Sequence, residues 1–301
     1  MRTIALIAAL LAHCSPARAA EPFSLRLITA DGTINCLPDG SARVERPAAA
    51  QGKVILNLTH SPDARHAAFA RDAVIYVGDA NAEHAVRVSP EGLETAWPAW
   101  SPDGRRIAFL ARRGGNVYQA HVVNRDGGDE RQVTDAPHGV WQPRFGPDGR
   151  LAYLVLQERK TKLQPADLVV TDIDDINKRH EHAVVRNVFI NTYGWSPDGK
   201  TIAYSTYASL VFHDLTTGKE QTVAFPDIDL RLKSHTAMTL AWRPDNKAVA
   251  CTIQFLGGRR QGGPMIFGDH EVFVIPRDGK PSWFDAGTDV QQIEWVAPHQ
   301  Q

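Results

Sequence analysis

Short apolar runs with a period of two, separated by clusters of Pro, Asp, Gly and Asn, fill the chain and predict β-strands joined by tight turns. One unit comes back five times. A run ending in a bulky residue (Trp100, Phe145, Trp195 or Trp242, with His60 in the first copy) leads into a Pro-Asp pair. After the pair comes a second apolar run that holds Ala in a fixed place: Ala68-Phe69, Ala108-Phe109, Ala152-Tyr153, Ala203-Tyr204 and Ala250-Cys251. The aspartates Asp63, Asp103, Asp148, Asp198 and Asp245 stand 40, 45, 50 and 47 residues apart, a period that belongs to propellers or solenoids.

Turn chemistry says what each unit must be. Pro presets φ at the first central position, Asp bonds the backbone beyond it, and the next residue has to turn left-handed. Gly104, Gly149 and Gly199 meet that demand, Asn246 is the usual substitute, and Ala64 is the misfit. Each unit therefore opens with a β-hairpin. A second hairpin follows, as in Val117-Tyr118-Gln119-Ala120-His121-Val122, the turn Arg125-Asp126-Gly127-Gly128, and Arg131-Gln132-Val133-Thr134. The series is repeated around Leu210-Val211-Phe212-His213 and Val272-Phe273-Val274-Ile275, and four antiparallel strands per unit describe propeller blades.

The series Pro98-Ala99-Trp100-Ser101-Pro102-Asp103-Gly104-Arg105-Arg106-Ile107-Ala108-Phe109 resembles the WD40-like PD40 repeat of the TolB-like propellers, with five in-register copies. The resemblance implies an all-β, six-bladed β-propeller with four antiparallel strands per blade. It leaves activity open, because similar blades occur in periplasmic binding proteins and in the propeller caps of prolyl-oligopeptidase-type enzymes. The α/β domain that precedes the propeller in TolB is expected to be missing here. The sixth blade is expected from the two ends: Gln292-Ile293-Glu294-Trp295-Val296 repeats the strand before each Pro-Asp turn, and the run from Phe23 to Cys36 lacks it. Terminal strands sharing one blade would close the ring and leave no free sheet edge.

Residues 1–20 read as a secretory signal peptide, with Arg2, an apolar stretch from Ile4 to Ala12, and small residues around Ala17-Arg18-Ala19-Ala20. A single propeller domain is then expected over residues 21–301, in the periplasm or secreted. Cys14 has a lipobox-like setting, but His13 stands where bacterial lipoproteins need a small residue, so simple cleavage is the expectation. Cleavage removes Arg2 and Arg18 and no acid, which leaves 31 basic against 34 acidic residues. A near-neutral chain has no electrostatic footprint for nucleic acid. No run beyond the N-terminus approaches the roughly 20 apolar residues of a membrane span. Two readings of Cys36 and Cys251 stand open: a disulfide between neighbouring blades, or Cys251 as a small buried hydrophobe in the place of a ring.

In a four-strand blade the first-to-second and third-to-fourth turns leave on one face, so the Pro-Asp turns share theirs with acidic turns such as Asp126-Gly127-Gly128 and Asp172-Ile173-Asp174-Asp175. The opposite face carries the irregular insertions and the cations Arg71, Arg112, Arg113, Arg159, Lys160, Lys162, Arg259 and Arg260. A basic rim attracts anionic partners, while charged loop tips are also ordinary solvated surface. The binding residues expected on this face are Arg112, Arg113, His138, Trp141, Arg159, Lys160, Tyr207, His235, Arg259, Arg260 and His270. Trp97 and Tyr193 lie near the same face and suit stacking.

Enzyme constellations are sparse. The chain has no Gly-x-Ser-x-Gly elbow, no His-Glu-x-x-His and no paired-cysteine zinc spacing. The surviving enzyme alternative is a hydrolase or lyase, with His138, His235 and His270 converging on a metal. The leading expectation is an exported, non-enzymatic, monomeric binding or scaffolding protein for an anionic envelope protein or peptide, with no cofactor.

Overall fold

The computed structural model describes residues 24–29, 32–36, 42–45, 56–159, 164–174, 182–206, 209–225, 235–255, 270–278, 282–285 and 290–296. Residues 1–20, and Lys160, Lys162, Asp175, Tyr207, Arg259 and Arg260 among the sequence candidates, lie outside them. The strands form six four-stranded antiparallel sheets, distributed over two compact units.

One sheet joins both ends of the sequence. It contains β1 (Ser24–Thr29), β2 (Gly32–Cys36) and β3 (Ala42–Glu45), and the last strand, β24 (Val290–Val296), pairs with β1 on the side away from β2. Residues 51–190 hold three sheets: β4 (Leu56–His60) to β7 (Val86–Arg87) through β5 (His66–Arg71) and β6 (Val74–Asp79); β8 (Glu94–Trp100), β9 (Arg106–Arg112), β10 (Gln119–Asn124) and β11 (Arg131–Gln132); and β12 (Val140–Phe145), β13 (Leu151–Leu156), β14 (Ala166–Thr171) and β15 (His182–Val188). The other unit adds β16 (Tyr193–Trp195), β17 (Thr201–Ser205), β18 (Ser209–Asp214) and β19 (Glu220–Ala224), and then β20 (His235–Trp242), β21 (Ala248–Phe255), β22 (His270–Pro276) and β23 (Ser282–Asp285).

The Pro-Asp turn works by local hydrogen bonds. In three copies the serine hydroxyl donates to the aspartate two residues on, Ser61 to Asp63 at 2.6 Å, Ser101 to Asp103 at 2.6 Å and Ser196 to Asp198 at 2.7 Å. The same serine oxygens accept the N–H of His66, Arg106 and Thr201, where the next strand begins. In all five copies the aspartate accepts the N–H two residues further on, from Arg65, Arg105, Arg150, Lys200 and Lys247. The left-handed position is taken by Gly104, Gly149, Gly199 and Asn246, and Ala64 adopts it too, at φ 56°. The third-to-fourth turns do share this side: Arg125, Leu215 and Arg277 donate their N–H groups to Arg105, Lys200 and Lys247.

Strand parity explains the Ala-ring step. In β9, Ile107, Phe109 and Ala111 pack toward the β4–β7 sheet, whereas Ala108 and Leu110 pack toward the β12–β15 sheet. Ala67, Ala68, Phe69, Ala108, Phe109, Ala152, Ala203 and Ala250 are fully buried. Both faces of each central strand are therefore core, and a buried Phe contributes up to about 3 kcal/mol through its apolar area. In β9 the small Ala108 faces the next sheet while the Phe109 ring fills the space toward the preceding one.

That parity closes the cysteine question. Cys251 packs with Ala203, Leu210, Phe212 and Trp242, toward β16–β19, whereas its neighbour Ala250 packs with Leu25 and Leu27 of β1, on the sheet that holds Cys36. Cys251 is a free, buried thiol, which decides between the two readings in favour of a small buried hydrophobe in the place of a ring. Two strand expectations also shift. β10 starts at Gln119 rather than Val117, and β11 is only two residues long, because the Thr134 hydroxyl takes the N–H of Ala120 in place of a ladder carbonyl.

Candidate functional site

On the side opposite the Pro-Asp turns, the β9–β10 loop and the connection into β12 meet. The loop runs Arg113-Gly114-Gly115-Asn116, with both glycines left-handed at φ 55° and 80°, and Arg113 is exposed. Its base is pinned: Val140 donates its N–H to the Tyr118 carbonyl at 2.9 Å. Gly139, at φ 83°, is needed there, since a Cβ would come within 2.8 Å of the Tyr118 carbonyl oxygen.

Three aromatic rings gather above this joint. Trp97 and Trp141 pack at 5.3 Å between ring centroids, tilted by 53°, and Tyr118 meets Trp141 edge-on at 6.3 Å. All three are half-buried. Both tryptophans stand at bulges in the first strands of their sheets, where Trp97-Pro98 opposes Phe109 and Gln142-Pro143 opposes Tyr153. Trp97 itself is left-handed at φ 57°, a costly conformation for a bulky residue. The Arg112 guanidinium lies 4.7 Å from the Tyr118 ring centre and donates twice to Glu94 Oε2, at 2.7 and 2.9 Å. That carboxylate holds the Arg112 pKa above its ordinary value, and its charge is spent within the pair.

Of the sequence candidates, Arg112, Arg113, His138 and Trp141 come to this joint, His138 as an exposed residue one position before Gly139. Tyr118 and Glu94 join them unannounced by the sequence, where Tyr118 looked like part of a strand. Tyr193, by contrast, is completely buried in β16. Arg159 lies at the end of the segment after β13. Of the three histidines weighed as metal ligands, His138 belongs to one unit, and His235 and His270 to the other, where they stand opposite Phe255 and Gln254 of β21.

The Pro-Asp side is built differently. Asp174 receives Arg106 at 2.5 and 3.0 Å and Arg131 at 3.5 Å, and the Arg106 bond draws its pKa below the usual carboxylate range. Glu130 meets His121 at 2.5 Å, and Asp79 meets His84 at 3.0 Å. The acids expected to make this side negative are thus tied into turns and pairs. A cleft of about 20 Å³ beside Arg131 and Ile173 has room for about one water.

No family model matches the chain. Over 124 residues, 40% of the chain, it is 32% identical to a Bacillus subtilis protein named as an uncharacterized peptidase, YuxL, and spans only 17% of that relative's length. Among solved structures, TolB from Acinetobacter baumannii superposes with a TM-score of 0.62 at 18% identity, covering 91% of this chain and 66% of that one. A putative TolB from Agrobacterium tumefaciens gives a TM-score of 0.63 at 14% identity, covering 94% and 96%. At such identities the likeness is one of fold. The chain is an all-β propeller of the TolB-like fold, with four-stranded antiparallel blades.

Proposed function

We propose that the protein is an exported binding or scaffolding protein that holds a peptide or protein segment of the cell envelope on the side bearing the β9–β10 loop. The observation that carries this reading is the half-buried Trp97–Trp141–Tyr118 cluster, with the Arg112 guanidinium over the Tyr118 ring. Rigid aromatic rings with a neighbouring cation suit recognition of a partner surface. The likeness to TolB structures supports a binding role as far as fold can. We read the six four-stranded sheets as six blades, with β24 and β1 sharing one. Export to the periplasm rests on the signal-like residues 1–20. Osmotic-shock fractionation followed by a pull-down from envelope extract tests both parts. Wild type should retain partners that a Trp97→Ala/Trp141→Ala variant loses, and equal retention would sink the site.

A second reading, a propeller enzyme, is favoured by the stretch shared with the YuxL peptidase. Assay of the purified protein against a panel of chromogenic peptide substrates tests it; no turnover above buffer would remove it.

A further inference from the structure

Resting on the reading that this side binds a peptide, we propose that the Trp97–Trp141–Tyr118 cluster takes a proline-rich segment in the polyproline II conformation. The three rings are half-buried, with Trp97 and Trp141 tilted by 53° and Tyr118 edge-on to Trp141, so they do not close into a face-to-face stack. Their polar tips are unspent. Neither indole N–H nor the Tyr118 hydroxyl has a hydrogen-bond partner among the described residues, and none of the three is a buried atom left without one, so all three reach solvent. Trp100, Trp242 and Trp295 differ, each donating its N–H to a carbonyl of the preceding sheet. The cluster is also fixed in place. Both tryptophans stand at strand bulges, and the Tyr118 carbonyl takes the Val140 N–H at 2.9 Å, which leaves little to order on binding.

Charge and the balance of donors then choose the occupant. Arg112 spends Nε and Nη2 on Glu94 Oε2, which neutralises the pair and leaves Nη1 as a further donor beside the Tyr118 ring. Against Nη1 and the two indoles stand Glu94 Oε1 and, as either donor or acceptor, the Tyr118 hydroxyl. The patch is thus aromatic, uncharged in sum and richer in side-chain donors than acceptors. An ordinary extended peptide brings an N–H with every carbonyl and finds too few acceptors here. Each saccharide hydroxyl brings a donor as well and meets the same shortage. Proline removes the N–H and keeps the carbonyl, and its ring packs on aromatic faces. A proline-rich segment is also extended before it binds, which lowers the ordering cost.

The test is fluorescence anisotropy of a labelled, end-blocked decaproline on the purified protein, beside a labelled glycine-serine decapeptide and a labelled maltoheptaose. Trp141→Phe and Tyr118→Phe each remove one donor and keep a ring, and thermal melts matching wild type would verify that they are folded. Wild type should bind decaproline at least about tenfold more tightly than either other probe, and each variant should bind it about fivefold more weakly. With no net charge involved, affinity should change less than about twofold between roughly 50 and 500 mM salt. Equal binding of the sugar or the glycine-serine peptide, or decaproline affinity unchanged in both variants, would overturn the ligand chemistry. The envelope pull-down separates this from the reading beneath it. Partners lost by Trp97→Ala/Trp141→Ala without any decaproline binding would uphold the site and overturn the proline segment. Decaproline binding with those partners still retained would uphold the ligand chemistry and overturn the envelope role.

Discussion

The indole N–H of Trp242 donates to the carbonyl oxygen of Gly194 at 2.9 Å, tying β20 to β16 across two neighbouring sheets. The bond has equivalents in Trp100 to Thr59 at 3.0 Å and Trp295 to Ala241 at 3.1 Å, each reaching the residue two before the turn position of the preceding sheet. The tryptophan that ends a first strand is thus a sheet-to-sheet tie. Trp242→Phe keeps a ring against Phe212, now 5.4 Å away edge-on, but leaves a buried carbonyl without its donor. The expected loss is about 1–2 kcal/mol, read as a lower denaturation midpoint in urea. An unchanged midpoint would show that the ring's packing, and not the bond, makes the tie.

Ala64 is the turn residue whose chemistry disagrees with its backbone. At φ 56° it bears the left-handed cost that Gly104 and Gly199, both at 68°, avoid. Ala64→Gly should raise stability by about 0.5–1 kcal/mol, the left-handed penalty less the extra chain entropy of glycine. Gly104→Ala should lower it by a similar or larger amount. Paired thermal melts check both signs, and a destabilised Ala64→Gly would contradict the account.

Acid should loosen the Pro-Asp turns. The Ser101 hydroxyl holds the Asp103 pKa below its ordinary value; partial burial opposes this and the Arg105 N–H adds to it. A depressed carboxylate contributes stability that is present above its unfolded pKa of about 3.9 and is lost as pH falls through the lower folded value. The melting temperature of wild type should therefore fall faster below about pH 4 than that of Asp103→Asn. Parallel curves across that window would remove Asp103 as a contributor.

Cys251 should behave as an unreactive free thiol. Burial pushes its pKa up to about 12, and no thiolate is available near neutral pH. A thiol reagent at pH 8 should label Cys251 only after denaturation, and peptide mass mapping of protein purified without reductant should find it unbridged. Recovery of a Cys36–Cys251 cross-linked peptide would overturn the packing described for β21.

The repeat was legible because its turn is held together within a few residues: Ser61, Asp63 and the N–H groups of Arg65 and His66 are all neighbours in sequence. The choice between the two readings of Cys251 turned on a distinction of one residue. Neighbouring sheets hold the two cysteines, but Ala250 rather than Cys251 faces the sheet of Cys36. The site was half legible for a similar reason. Arg112, Arg113, His138 and Trp141 could be assigned to one side from loop order, yet the sequence could not show that Glu94 takes up Arg112 or that Tyr118 joins the two tryptophans.

The sequence by itself determined most of the strands, the five Pro-Asp turns, the left-handed positions after them and the two sides onto which the loops emerge, since those follow from local bonding and strand direction. Tertiary structure alone decided which side chains meet between sheets: which tryptophan reaches which carbonyl, and which cation is already paired. Contacts of that kind depend on side-chain parity and on packing between residues some forty positions apart, as Trp100 and Thr59 are, and no local pattern encodes them.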